Sequence, residues 1–136
     1  MNKEQIESIE QGYFDALEWL TWGCPDREQN GIPEEFELDS DTINKLVSNI
    51  VKDFITRTPP EKIEQYLTDI KSTQYHSRNH CLNLLGHDLY LTSERHGAGF
   101  WDRGLDDLGD ELTALAEKCS TIHIFYDDET KTVTGE

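Results

Sequence analysis

Leu105, Leu108, Leu112, Leu115 and Cys119 step through the chain at intervals of 3, 4, 3 and 4. Residues three and four apart share one face of an α-helix, so this run predicts a helix whose apolar stripe must be buried against other elements. Asp106 and Asp107 stand near its start, where the helix dipole favours acids. The same spacing recurs four times upstream. Ile6, Ile9, Tyr13, Ala16, Leu17 and Leu20 line a helix from about Lys3 to Trp22, which Trp19 and Trp22 widen and Gly23-Cys24-Pro25 ends. Ile43, Leu46, Val47, Ile50 and Phe54 follow a cap at Ser40 or Asp41. Ile63, Tyr66, Leu67 and Ile70 follow Thr58-Pro59-Pro60-Glu61, which reads as threonine at the cap, proline at the first helical position and glutamate closing a capping box. Leu82, Leu85 and Leu89 fall within a helix from Gln74 to Tyr90, which Gly86 weakens by about 1 kcal/mol relative to alanine. The tail TIHIFY, DDETK, TVT reads as a β-hairpin. Two strands are marginal alone, so the hairpin needs helices, a third strand or another chain. With 136 residues the chain fits a single domain, residues 1–136, and the expected fold is α+β: mostly helical, with a short C-terminal β-hairpin.

Composition bounds the function. Lysine and arginine number 12 against 28 aspartates and glutamates, a formal net charge of −16. Nucleic-acid affinity comes mainly from cations that neutralise phosphates, so direct nucleic-acid binding is disfavoured. A surface of this sign instead attracts basic proteins, including those that themselves handle nucleic acid. The acid peaks in the turn-rich stretch 23–39 and just beyond it, with seven acids against one base across residues 26–41. No apolar run approaches the roughly 18 residues of a membrane span, and the opening MNKEQIESIEQ has no apolar core of a signal peptide. The expectation is a soluble, cytosolic protein that touches no membrane. Cys24, Cys81 and Cys119 are far apart and form no CxxC pair, which reads as reduced thiols rather than a disulfide frame or a zinc site.

The most chemically loaded stretch is GHDLYLTSERHGAGFWDRG, residues 86–104, whose part from 91 to 104 reads as a loop. Gly97 and Gly99 permit backbone conformations closed to other residues. His87, Asp88, His96, Asp102 and Arg103 are the catalytic candidates, because a carboxylate that holds a histidine is the usual arrangement of a general base. The same residues also satisfy buried polar groups in a loop with no ladder to pair with. Thr92 and Ser93 lie in no nucleophile-elbow motif, and HGAG lacks the preceding strand and GxxxxGK[ST] pattern of a phosphate loop. His76, His80 and His87 would share a helix face, but His76 and His87 would stand about 16 Å apart along the axis, too far for one ion. HSRNH lacks the glutamate of a zincin. No metal and no cofactor is expected.

The run GHDLYLTSERHGAGFWDRGLDDLGDELTALAEKC, with the apolar strand and acidic turn after it, resembles a family of small acidic proteins of unknown function encoded by bacteriophages and prophages. Members read GHDFWLTRNGHGAGFWDRGLGELGDKLT. The likeness is high over residues 86–119, extends in weaker form over 13–55 and is missing from 56–80. His87, Asp88, Thr92, His96, Gly97, Gly99, Phe100, Trp101, Asp102, Arg103, Leu105, Leu108, Gly109 and Leu112 match the pattern. Ser93-Glu94-Arg95 departs from it, standing where the pattern has Arg-Asn-Gly, so a turn glycine is replaced by Arg95. The resemblance implies a phage-type accessory protein. Joined to the charge, it leads to the expectation of a binding protein, an acidic inhibitor or DNA mimic, whose partner is a basic or nucleic-acid-binding host or phage protein. Trp19, Trp22, Phe36, Phe100 and Trp101 are the candidate anchors, with Glu34, Glu35, Glu37, Asp39, Asp41 and the acidic faces of the first two helices supplying charge. A homo-oligomer through the hairpin edge is a further expectation, and a small enzyme built on the 87–103 corner is the alternative function.

Overall fold

The computed structural model describes residues 1–21, 36–74, 77–95 and 98–136. Helices α1 (Lys3–Leu20), α2 (Ser40–Arg57), α3 (Pro60–Gln74), α4 (Arg78–Ser93) and α5 (Asp107–Glu117) surround one core, and a short 3-10 turn, Phe100–Asp102, precedes α5. Strands β1 (Glu37–Leu38), β2 (Ile124–Asp127) and β3 (Thr132–Gly135) form one sheet in the order β1-β3-β2. The fold is α+β and mostly helical, as expected. No helix among the described residues is long and apolar enough to cross a membrane.

The apolar stripes bury as their spacing requires. Ile9, Tyr13, Ala16 and Leu17 of α1 pack with Ile43, Val47, Ile50, Val51 and Phe54 of α2, Tyr66 and Ile70 of α3, Leu82, Leu85 and Leu89 of α4, and Leu112 of α5. α1 and α4 run in the same direction. Ser8 meets Asn83 through an amide that donates to the Ser8 carbonyl at 3.0 Å, and further along the Tyr13 ring meets Tyr90 edge-on at 5.3 Å. The closeness of this pair explains two glycines. A Cβ on Gly12 would lie 1.9 Å from the Asn83 carbonyl oxygen, and one on Gly86 would lie 1.9 Å from that of Ile9. Gly86 is therefore a notch for a neighbouring backbone, not merely a weak point in α4.

Helix boundaries depart from expectation for local reasons. α3 begins at Pro60, and Thr58 does not open it: its hydroxyl donates to the Phe54 carbonyl at 2.6 Å and closes α2 instead. Pro60 bars the residue before it from the helical region, so the helix cannot start at Pro59. α4 starts at Arg78, where the Ser77 side chain accepts from the His80 amide at 3.2 Å, and it continues through Ser93. Leu91, Thr92 and Ser93, expected in the loop, are thus helical. His80 is exposed in the first turn; His76 lies outside the described residues.

The hairpin has the expected form, with β2 antiparallel to β3 and Tyr126 opposite Val133. Its third strand, β1, comes from the end of the stretch read as loop. Glu37 and Leu38 pair in parallel with Thr132 and Val133, and the Asp39 amide donates to the Val133 carbonyl at 2.8 Å. The added strand gives the hairpin the support that two strands lack.

α4 ends with Arg95 at φ +58°, the left-handed conformation that glycine adopts without strain. This is the position at which the resembled phage pattern carries glycine. Arg95→Gly should raise unfolding free energy by about 0.5–1 kcal/mol, the relieved strain outweighing the entropy of a more flexible unfolded chain. Urea denaturation of the two proteins measures the difference; a loss of stability would show that the Arg95 side chain contributes more than its backbone costs.

Candidate functional site

The corner between α4 and α5 is built from Gly99 outward. Gly99 has φ +152°, and a Cβ there would lie 2.2 Å from the Thr92 hydroxyl oxygen. That oxygen accepts from the Phe100 amide at 3.2 Å, tying the returning chain to α4. Phe100 then enters the core, stacked on Phe54 at 5.8 Å and edge-on to Tyr66 at 5.6 Å. Asp102 closes the 3-10 turn with its amide on the Gly99 carbonyl at 3.1 Å. Arg103 follows and reaches back to α4. Its Nη2 donates to Asp88 Oδ1 at 2.7 Å and its Nε to both carboxylate oxygens at 3.1 Å. Tyr66 of α3 donates its hydroxyl to Asp88 Oδ2 at 2.7 Å. Gly109 brings α5 against the Phe100 carbonyl, 2.9 Å from where its Cβ would be.

Asp88 is 0% exposed and is the one buried acid among the described residues, while the Arg103 side chain is 25% exposed. Burial, and then the Asp88 charge, hold the Tyr66 hydroxyl well above the ordinary tyrosine range. The bond to Asp88 raises Arg103 further still. Burial lowers His87, with Asp88 and Asp15 opposing and Arg103 assisting. His87 makes no hydrogen bond with Asp88 among the described residues, so the adjacent His and Asp of the sequence are not a base and its orienting group. Asp88 serves Tyr66 and Arg103, one from each flanking segment. His96 and Gly97 lie outside the described residues, and Asp102 is exposed. The arrangement joins α3, α4 and the segment that leads into α5 through one carboxylate. Tyr66 was legible as a core residue from its spacing, but nothing local to it marks it as Asp88's partner.

Cys24 lies outside the described residues, and the two described thiols, Cys81 and Cys119, are poorly suited to nucleophilic work. Burial, followed by the Asp53 charge, pushes Cys119 up to about 11, and burial raises Cys81. A thiol in that range is protonated at neutral pH, and the thiolate is the reactive form. Among the described residues no group of three or more His, Cys, Asp and Glu is placed to hold a metal ion.

The binding candidates separate into exposed and structural sets. Trp19 is 54% exposed and Trp101 41%. Glu37 and Asp41 are also exposed. Phe100 is fully buried and is no surface anchor, because the turn at Gly99 directs it inward. Asp39 is a structural residue: it accepts from the Thr42 amide at 3.3 Å as the cap of α2 and from the Thr134 hydroxyl at 2.8 Å, and these bonds lower its pKa. Phe36 is half-buried, edge-on to Tyr126 at 5.6 Å and beneath the Lys131 ammonium at 5.2 Å. Trp22, Glu34 and Glu35 lie outside the described residues. The expected acidic face of the second helix is not there: α2 carries Asp41 and Asp53 against Lys45, Lys52 and Arg57. Charge instead belongs to α1, with Glu4, Glu7, Glu10, Asp15 and Glu18 against Lys3, and to α5, with Asp107, Asp110, Glu111 and Glu117. Comparison with protein-family models, curated proteins and solved structures returns no match.

Proposed function

We propose that the protein is a phage-type accessory protein that acts by binding a basic surface of a host or phage protein, as an acidic inhibitor or DNA mimic of a nucleic-acid-handling factor. The observation that supports this is the charge: −16 over 136 residues, with a single buried acid among those described. Such a field steers cationic partners and repels nucleic acid and further copies of itself. The exposed Trp19 on α1 and Trp101 in the 3-10 turn add apolar area to it, and aromatic anchors dominate interface energetics. The 86–104 corner fits this reading as scaffold, since Asp88 and Phe100 are committed to the core.

The test is a tagged pull-down from bacterial lysate with nuclease treatment, followed by binding measurements on the recovered protein in a salt series. The expected result is a basic partner retained after nuclease whose affinity falls about tenfold or more from low to physiological salt. A complex insensitive to salt, or one lost on nuclease treatment, overturns the proposal.

A further inference from the structure

Shape and charge coincide in a groove between α1 and α2. Its volume is about 390 Å³, with Glu7, Glu10, Gln11 and Phe14 on the α1 wall and Asn44 and Val47 on the α2 wall. We propose that this groove docks an arginine side chain of the basic partner, its stem over Phe14 and Val47 and its guanidinium between the carboxylates of Glu7 and Glu10. The inference rests on the binding reading above and names its surface.

The two glutamates are three apart on α1, so their Cβ atoms are neighbours at about 5–6 Å. Among the described residues, neither is fully engaged. Glu10 Oε1 accepts from the Ser48 hydroxyl at 3.0 Å, which orients the carboxylate and leaves Oε2 for a ligand. Glu7 has a long contact of 3.9 Å with Lys3, both side chains largely exposed, and such pairs contribute little. A guanidinium presents several donors in one plane and can serve two carboxylates at once, whereas an ammonium acts as a point charge. Its stem is apolar and suits a floor of phenylalanine and valine. Glu7, Gln11, Asp15 and Trp19 then continue along α1 at intervals of four, all exposed, so a bound segment would meet a third acid, Asp15, and an aromatic ring beyond the groove. A second copy of this chain is a poor occupant, because it brings another −16 to the same place. The larger cavity, about 480 Å³ between α2, residues 120–122 and Glu136, offers less to a cation, since its Asp53 already holds Arg57 at 3.0 Å and Glu136 is its one other acidic side chain.

The probe is a short synthetic peptide with arginine at every fourth position on an alanine–leucine background, with a citrulline analogue as its uncharged counterpart. Binding is read by calorimetry against the wild type, Glu7→Gln/Glu10→Gln, and the control Asp110→Asn/Glu117→Gln, which removes equal charge from α5. Thermal unfolding verifies that each variant is folded. The expected result is a loss of about tenfold or more at the groove, less than about threefold at α5, and no binding of the citrulline analogue. Equal losses at both helices would overturn the groove while leaving the electrostatic reading intact. Failure of the arginine peptide to bind the wild type, or equal binding of the citrulline analogue, would overturn both.

Discussion

Replacing Gly86 by alanine should destabilise the protein by more than about 3 kcal/mol, enough to leave a large unfolded fraction in a domain of ordinary stability. Two effects oppose each other. Alanine is the better helix former by about 1 kcal/mol, so α4 in isolation would gain. The packed protein would lose, because the new methyl would sit 1.9 Å from the Ile9 carbonyl oxygen and 2.7 Å from the Tyr13 amide nitrogen. Those atoms belong to the backbone of α1, and no side-chain rotation can move them. Relief requires the two helices to part along their contact, which loosens Tyr13, Leu82 and Leu85 together. Gly12→Ala should cost a similar amount for the reciprocal reason, its methyl falling 1.9 Å from the Asn83 oxygen. The double variant should cost less than the sum of the two, since helices already parted by one methyl accommodate the other. Gly104→Ala is the control. It has φ +69° but open space around its Cβ position, so only backbone strain of about 1–2 kcal/mol applies. Chemical denaturation of the four variants reads all of this. A gain in stability at Gly86 would mean that α1 and α4 do not meet as described.

What could be read from the chain and what could not follows the range of the interactions. The stripe Leu105–Cys119 and those of the other helices are local patterns of one repeated geometry, and they identified the core residues Ile9, Ile43, Leu82 and Leu112. Gly86 shows the limit: its residue type announces a local weakness, while its purpose depends on Gly12 and on a helix that lies far away in sequence. β1 was illegible for the same reason. Two residues have no periodicity, and their strand status comes from Lys131 and Val133, whose carbonyls receive the Glu37 and Asp39 amides. The corner at 86–104 stood out at once by composition, yet composition could not separate scaffold from site. A buried aspartate that orients a histidine and one that ties arginine to tyrosine use the same residue types. The deciding partner, Tyr66, is 22 residues upstream of Asp88 on another helix. The α1 groove was missed because the sequence shows the acids of α1 only as a charged face; its existence depends on how α2 lies beside α1.

Asp88→Ala should cost about 3–5 kcal/mol, the range for removing one partner of a buried charged network. The tyrosine hydroxyl would be left buried without its acceptor, and Arg103 would lose three hydrogen bonds. Arg103 can turn partly towards water, being 25% exposed, which places the expected loss at the lower end of that range. Tyr66→Phe should cost less, about 1–2 kcal/mol, since it removes one hydrogen bond and leaves the ion pair. Asp88→Asn separates the two roles available to this residue. As scaffold, the amide keeps an acceptor for Tyr66 but loses the charge that holds Arg103, so stability falls while the affinity of the remaining folded protein for a basic peptide is unchanged. As part of a site, the same substitution would remove binding or activity without a matching loss of stability. Measuring unfolding and binding on one preparation decides between them. A stable, inactive Asp88→Asn protein would return the corner to the functional surface. A destabilised protein that still binds would leave the corner as the joint between α3, α4 and α5 and the acids of α1 as the surface that meets a partner.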